Sequence, residues 1–178
     1  NDSGTGSLRQ AILDADPGDT IVFAPEVSGT IALTTGDLMI TKSLTIQGPG
    51  STVLAVSGGN ATGVFFVGGF TVMINVTLSG LTIRDGNTPG GGGGVANYGS
   101  TTVLSATAVL INVGGICGGI HQQRAARGIH SSVISNVSCD QGGGIINFGA
   151  LVVVDSVIIG NKTFSARGGP NGFPGVPP

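Results

Sequence analysis

Charge is scarce in this chain. Only 9% of its 178 residues are Asp, Glu, Lys or Arg, and the net charge is −2. With no basic surplus and no lysine run, it lacks the field that draws the phosphates of a nucleic acid or an anionic membrane surface. A nucleic-acid partner is therefore not expected. Long apolar runs are missing too: Leu151 to Val154 and Val157 to Ile159 are strand-sized and interrupted by Asp155, far short of the about 20 residues of a membrane span. Tryptophan is absent and tyrosine occurs once, which leaves few aromatic platforms. The chain has no initiator Met and no signal-peptide pattern, and Asn1 opens directly into a polar turn, as in a processed or excised chain.

Glycine, by contrast, is abundant. Its 34 residues point to a repetitive, turn-dense architecture rather than to a compact α/β enzyme. Gly92-Gly93-Gly94-Val95 recurs as Cys117-Gly118-Gly119-Ile120 and as Gly142-Gly143-Gly144-Ile145, an interval of 25 residues both times. Behind each glycine run come short alternating apolar segments: Thr101 to Leu104 and Ala108 to Ile111, Gly128-Ile129 and Val133-Ile134, Leu151 to Val154 and Val157 to Ile159. Asn112, Asn136 and Asn161 follow, where a residue tolerant of left-handed backbone angles would turn a corner. Such a unit cannot bury its apolar face alone, so it must stack on its neighbours with equivalent strands paired in parallel. The pattern predicts an all-β, right-handed parallel β-helix.

Earlier segments fit with looser spacing: Thr20 to Phe23, Thr30 to Leu33, Leu38 to Ile40, Leu44 to Ile46, Val53 to Val56, Val64 to Val67, Val72 to Leu78 and Leu81 to Ile83. The whole makes roughly six coils, a rod on the order of 30 Å long at ~4.8 Å per coil. Ser7-Leu8-Arg9-Gln10 reads as a capping box, with Leu8, Ala11, Ile12 and Ala15 on one face of a short helix that Pro17-Gly18 ends. Three regions follow: an N-terminal cap with its helix at 1–19, the β-helix at 20–167, and a Gly/Pro-rich extended tail at 168–178.

Ser7 to Ala15 (SLRQAILDA), Asp19 to Phe23 (DTIVF) and Leu44 to Gly50 (LTIQGPG) resemble the opening of bacterial surface β-helix proteins of the CSLREA and choice-of-anchor type. The Gly-Gly-Gly-Ile-x-Asn unit at Gly142 to Asn147 is similar to the repeats of polymorphic outer-membrane proteins. The resemblance covers about residues 3 to 165 and implies an exported, often surface-anchored β-helix, usually without assigned activity. It carries no catalytic residue across. This chain departs from it by being short, by lacking an anchor signal, and by its segment His121 to His130.

Enzymes on parallel β-helices need clustered carboxylates to bind Ca²⁺ or to act as acid and base. Here the nine acids are scattered, and Asp2, Asp14, Asp16 and Asp19 sit around the cap. Arg84-Asp85 is the best lone candidate for chemistry, and a surface ion pair is its plainer reading. No catalytic residue, metal site or cofactor is expected. His121, Arg124, Arg127 and His130 gather both histidines and two of the seven basic residues; as a loop bulging outward they would contact an acidic glycan or a neighbouring subunit. Cys117 and Cys139 are 22 residues apart, close to one repeat, which suits a disulfide between adjacent coils; two unrelated thiols are the alternative. Besides Asn1, sequons at Asn60, Asn75, Asn136 and Asn161 are candidate glycosylation sites of an exported chain. In the tail, Pro170, Phe173, Pro174, Pro177 and Pro178 are candidate assembly contacts.

These features point first to an extracellular or cell-surface structural protein, non-catalytic and self-associating into a filament or sheath. An adhesin or glycan-binding surface module is the second reading. A polysaccharide lyase or hydrolase comes third.

Overall fold

The structure, a computed structural model, describes residues 2–68, 73–98, 101–123 and 126–164, with the side chains of 101–103 and 126–130 outside the description. Every strand pairing in it is parallel, and each joins one coil to the next. The chain is a β-solenoid of about five turns, against the six expected: the face that counts complete turns carries five strands. These are β3 (Leu38–Ile40), β6 (Phe65–Val67), β10 (Val95–Asn97), β13 (Ile120–Gln122) and β16 (Ile145–Asn147).

A second, larger sheet wraps the other side. It begins with β1 (Thr20–Val22) and β2 (Gly29–Ala32), continues through β4 (Leu44–Gln47), β5 (Leu54–Ser57), β7 (Asn75–Ser79) and β8 (Thr82–Arg84), and ends on β17 (Leu151–Val153) and β18 (Val157–Ile159). In its middle coils the two expected strands fuse into one, as β11 (Thr101–Leu110) and β14 (Ala126–Ile134). The register slips at Ala106, whose φ of 48° takes up the extra residue of a β-bulge. A minor ladder closes the last corner: β9 (Asn87–Thr88), β12 (Val113–Gly114), β15 (Val137–Ser138) and β19 (Lys162–Thr163).

Alternation along each strand sends every second side chain inward, so equivalent residues stack into columns. Ile31, Val56, Ile83, Val109, Val133 and Ile158 form one such column. Its four middle members are fully buried. Leu38, Phe65, Val95, Ile120 and Ile145 form another across the interior.

Helix α1 (Leu8–Asp14) closes the first coil, placing Leu8 and Ile12 in the core. Ser7 caps it by accepting the Gln10 N–H at 3.1 Å. The reciprocal half of the capping box is not made: Gln10 donates to Asp14, and the Ser7 N–H bonds Gly4 instead. Asp2 buckles the helix to the coil, accepting from Arg9 at 2.8 Å and from the backbone N–H groups of Thr34 and Thr35 at 2.7 Å each. Burial raises its carboxyl, but the hydrogen bonds from Thr35, Thr34 and Arg9 outweigh that and hold it well below the usual carboxylate range.

The corner after each second strand is built differently from the expectation. The left-handed residues are Asp85, Ile111 and Ser135, with φ of 52° to 54°, and then Gly160. Each asparagine stands one position later, and its contribution is its side chain. Asn136 Oδ1 accepts from the backbone N–H of Asn112 at 2.9 Å and from its amide at 3.0 Å, and Asn136 Nδ2 donates to Val109 O and to Asn161 Oδ1. Asn112 and Asn161 repeat the pattern one coil earlier and later. The glycine pairs exist because this corner leaves no room: a Cβ on Gly118 would lie 2.4 Å from Val137 O, and one on Gly119 2.4 Å from Gly144 O. Backbone cannot yield as a flexible side chain would. We therefore expect Gly118→Ala to lower the urea midpoint by the equivalent of about 1–3 kcal/mol, whereas Gly18→Ala, where a Cβ meets open space but φ is +99°, costs only the smaller left-handed penalty of about 1–2 kcal/mol.

Candidate functional site

The outward side of the five-stranded face carries Met39, Phe66, Ala96, His121 and Ile146 at one register position. The small Ala96 leaves a gap in this row, and Tyr98, two residues further on, swings its ring into the space. The result is an aromatic column climbing the solenoid. Phe66 stacks on Tyr98 with centroids 5.3 Å apart and planes 18° from parallel, Tyr98 meets His121 at 5.2 Å and 61°, and His121 meets Phe148 at 5.9 Å. Tyr98 and Phe148 occupy equivalent positions of two repeats, whereas Phe66 and His121 reach the column from another register position.

Beside the column lies a cavity of about 200 Å³. Phe66, Ala96 and Tyr98 form one wall, the glycine turn around Gly91 another, and Asp37 and Thr88 bring polar groups to it. Gly91 is required there: a Cβ would lie 1.7 Å from His121 Nδ1. Among the described residues no hydrogen bond or ion pair engages the Asp37 side chain.

His121 corrects the expectation of an exposed basic loop. It lies on β13, is 3% exposed, and among the described residues neither ring nitrogen has a hydrogen-bond partner. Burial pushes its pKa below the ordinary value, so the imidazole is neutral. The described parts of the segment are strand rather than loop, β13 and β14 both continuing the ladders of their neighbours. Among its described residues there is a single extra residue at 127–128, where β14 slips against both β11 and β17. Arg127 and His130 are strand residues whose side chains lie outside the description, and Arg124 lies outside the described residues.

The expected disulfide is absent. Cys117 is buried and Cys139 exposed, both as free thiols. The reason is register: the coil-to-coil step here is 24 or 25 residues, so Cys139 hydrogen-bonds to Gly114 while Cys117 lies level with Gly92 and Gly142. Burial pushes the Cys117 thiol up to about 11, and its Sγ donates to Ile120 O. It is an inert core group.

Of the sequons, Asn60 and Asn75 are exposed. Asn136 is fully buried with its amide donating to two acceptors, and the Asn161 amide is likewise engaged, so neither offers a free Nδ2 in the folded chain. Arg84 and Asp85 form an ion pair at 3.2 Å, with Ser57 donating to Asp85 at 3.0 Å. Among the described residues no three His, Cys, Asp or Glu side chains gather as metal ligands, and no helix is long and apolar enough to cross a membrane. The tail residues Pro170, Phe173, Pro174, Pro177 and Pro178 lie outside the described residues. No family model, curated protein or solved structure matches the chain.

The neutral His121 has a consequence for pH. Below its ordinary value of 6.5 the unfolded chain takes up a proton that the folded chain refuses, so stability is complete above that pH and declines below it, by at most about 1.4 kcal/mol per unit. Urea midpoints measured at pH 7.5 and 5.0 should fall for the native chain, and this part of the fall should vanish in His121→Phe, which keeps a ring in the column.

Proposed function

We propose that this chain is a non-catalytic structural subunit of an extracellular or cell-surface assembly, associating with a second copy through its last coil. The exposure of that coil carries the reading. Ile158 occupies the inward column position that is fully buried in the four coils before it, yet it is 45% exposed. Val152, Val153, Val157, Ile159 and Phe164 are exposed around it.

Backbone and amide groups favour the same face. Among the described residues β16, β17, β18 and β19 each pair along one edge alone, which leaves a row of strand edges able to accept another chain. Asn147, at the end of an interior amide ladder in which Asn97 donates to Gln122, keeps a buried Oδ1 without a partner. From 151 to 164 the only charges are Asp155 and Lys162, one of each sign, so two copies meet without net repulsion.

The opposite end has its core closed by α1. Two open ends meeting would give a closed dimer, whereas the filament or sheath needs the open end to dock on the capped one. The opening motif at Ser7 to Ala15 supports placement among surface β-helix proteins of the CSLREA and choice-of-anchor type. Analytical ultracentrifugation should show reversible self-association at micromolar concentrations, reduced at least tenfold by Ile158→Lys with the far-UV spectrum unchanged. Electron microscopy then separates dimers from filaments, and a monomer at all concentrations overturns the reading.

A further inference from the structure

We propose that the cavity beside the aromatic column binds a single neutral sugar ring. The inference is independent of self-association, since the cavity lies on the flank of the solenoid and the open coil at its end.

Size sets the first limit. At about 200 Å³ the cavity is smaller than the about 300–1,000 Å³ of pockets that enclose drug-sized ligands, which leaves room for one small ring. The lining sets the class. Phe66 and Tyr98, stacked on one another, turn ring edges rather than faces to the cavity beside them, which suits the oxygens of a pyranose, while Asp37 accepts hydroxyl hydrogens and the Thr88 hydroxyl, which already accepts from the Gly90 N–H at 3.2 Å, donates. The turn around Gly91 closes this side of the cavity, the Cβ direction of Gly91 being filled by the His121 ring.

The arrangement of the rings argues against the competing ligand, an organic cation. Tyr98 has Phe66 against one face and His121 on its other side, so its π-faces are taken up within the column. A cation binds ring faces, whereas ring edges carry the positive end of the quadrupole and favour oxygen. An acidic sugar is disfavoured by the Asp37 carboxylate. His121 serves the site from behind, as a neutral, buried ring that backs Tyr98 and packs against Gly91.

The chain supplies its own reporter. Tyr98 is its one tyrosine and there is no tryptophan, so emission excited at 280 nm comes from the cavity wall alone. Titration with D-glucose, D-galactose and N-acetyl-D-glucosamine should give a saturable change for at least one of them, with a millimolar dissociation constant. Choline chloride and D-glucuronate should give none. Ala96→Leu fills the gap at a register position that holds Met, Phe, His or Ile in the other coils, and Asp37→Ala removes the acceptor; each should weaken binding at least tenfold. Should Ala96→Leu fail to fold by far-UV circular dichroism, Asp37→Ala decides alone, since among the described residues its side chain makes no hydrogen bond or ion pair in the fold. No response to any of the three sugars, a response to choline instead, or sugar binding that survives the substitutions overturns the proposal.

Discussion

A buried asparagine that bonds at once to the coil before it and the coil after it sets the dimensions of this solenoid. Asn112, Asn136 and Asn161 satisfy backbone groups that a sharp corner would strand without partners, and buried polar groups left unpaired are costly. Because Asn112 and Asn136 each reach the coils on both sides and Asn161 the coil before it, all three must stack on one corner, which fixes the coil length at 24 or 25 residues in this part of the chain. The glycine pairs follow from that closeness, since any Cβ on Gly118 or Gly119 would enter the backbone of the next coil. The apolar columns fill whatever cross-section the corner permits.

The same economy leaves the two ends unlike each other. At the first coil an amphipathic helix covers the core and Asp2 ties it down through several donors at once. At the last described coil, the inward column ends on a half-exposed Ile158, with strands that pair along one edge alone among the described residues. A solenoid is nearly one-dimensional, so each coil is stabilised chiefly by its nearest neighbours.

On the flank, the cavity and the packing share residues. The outward row is large at every described position but Ala96, and the place left by Ala96 is used twice, once by Tyr98 and once as open space. His121 is the most telling member: a residue that a charge-based reading places in solvent is held neutral within an aromatic stack. The polar groups of the cavity, Asp37 and Thr88, come from coils apart in sequence and meet only through stacking.

The sequence by itself determined the repeat, the parallel stacking, the capped first coil and nearly every strand, because a 25-residue recurrence and two-residue alternation are local patterns that only a β-solenoid satisfies. It also marked the asparagine corners, though not their role, since the hydrogen bonds that define that role reach across coils. Tertiary structure alone decided the rest. It separated Cys117 from Cys139, because a spacing of 22 against a step of 24 or 25 moves the two along the strand rather than over one another. It turned His121 into an aromatic packing residue and made a cavity of Asp37, Thr88 and Tyr98, because what faces what in a solenoid depends on how coils align, and a one-residue bulge is enough to change it.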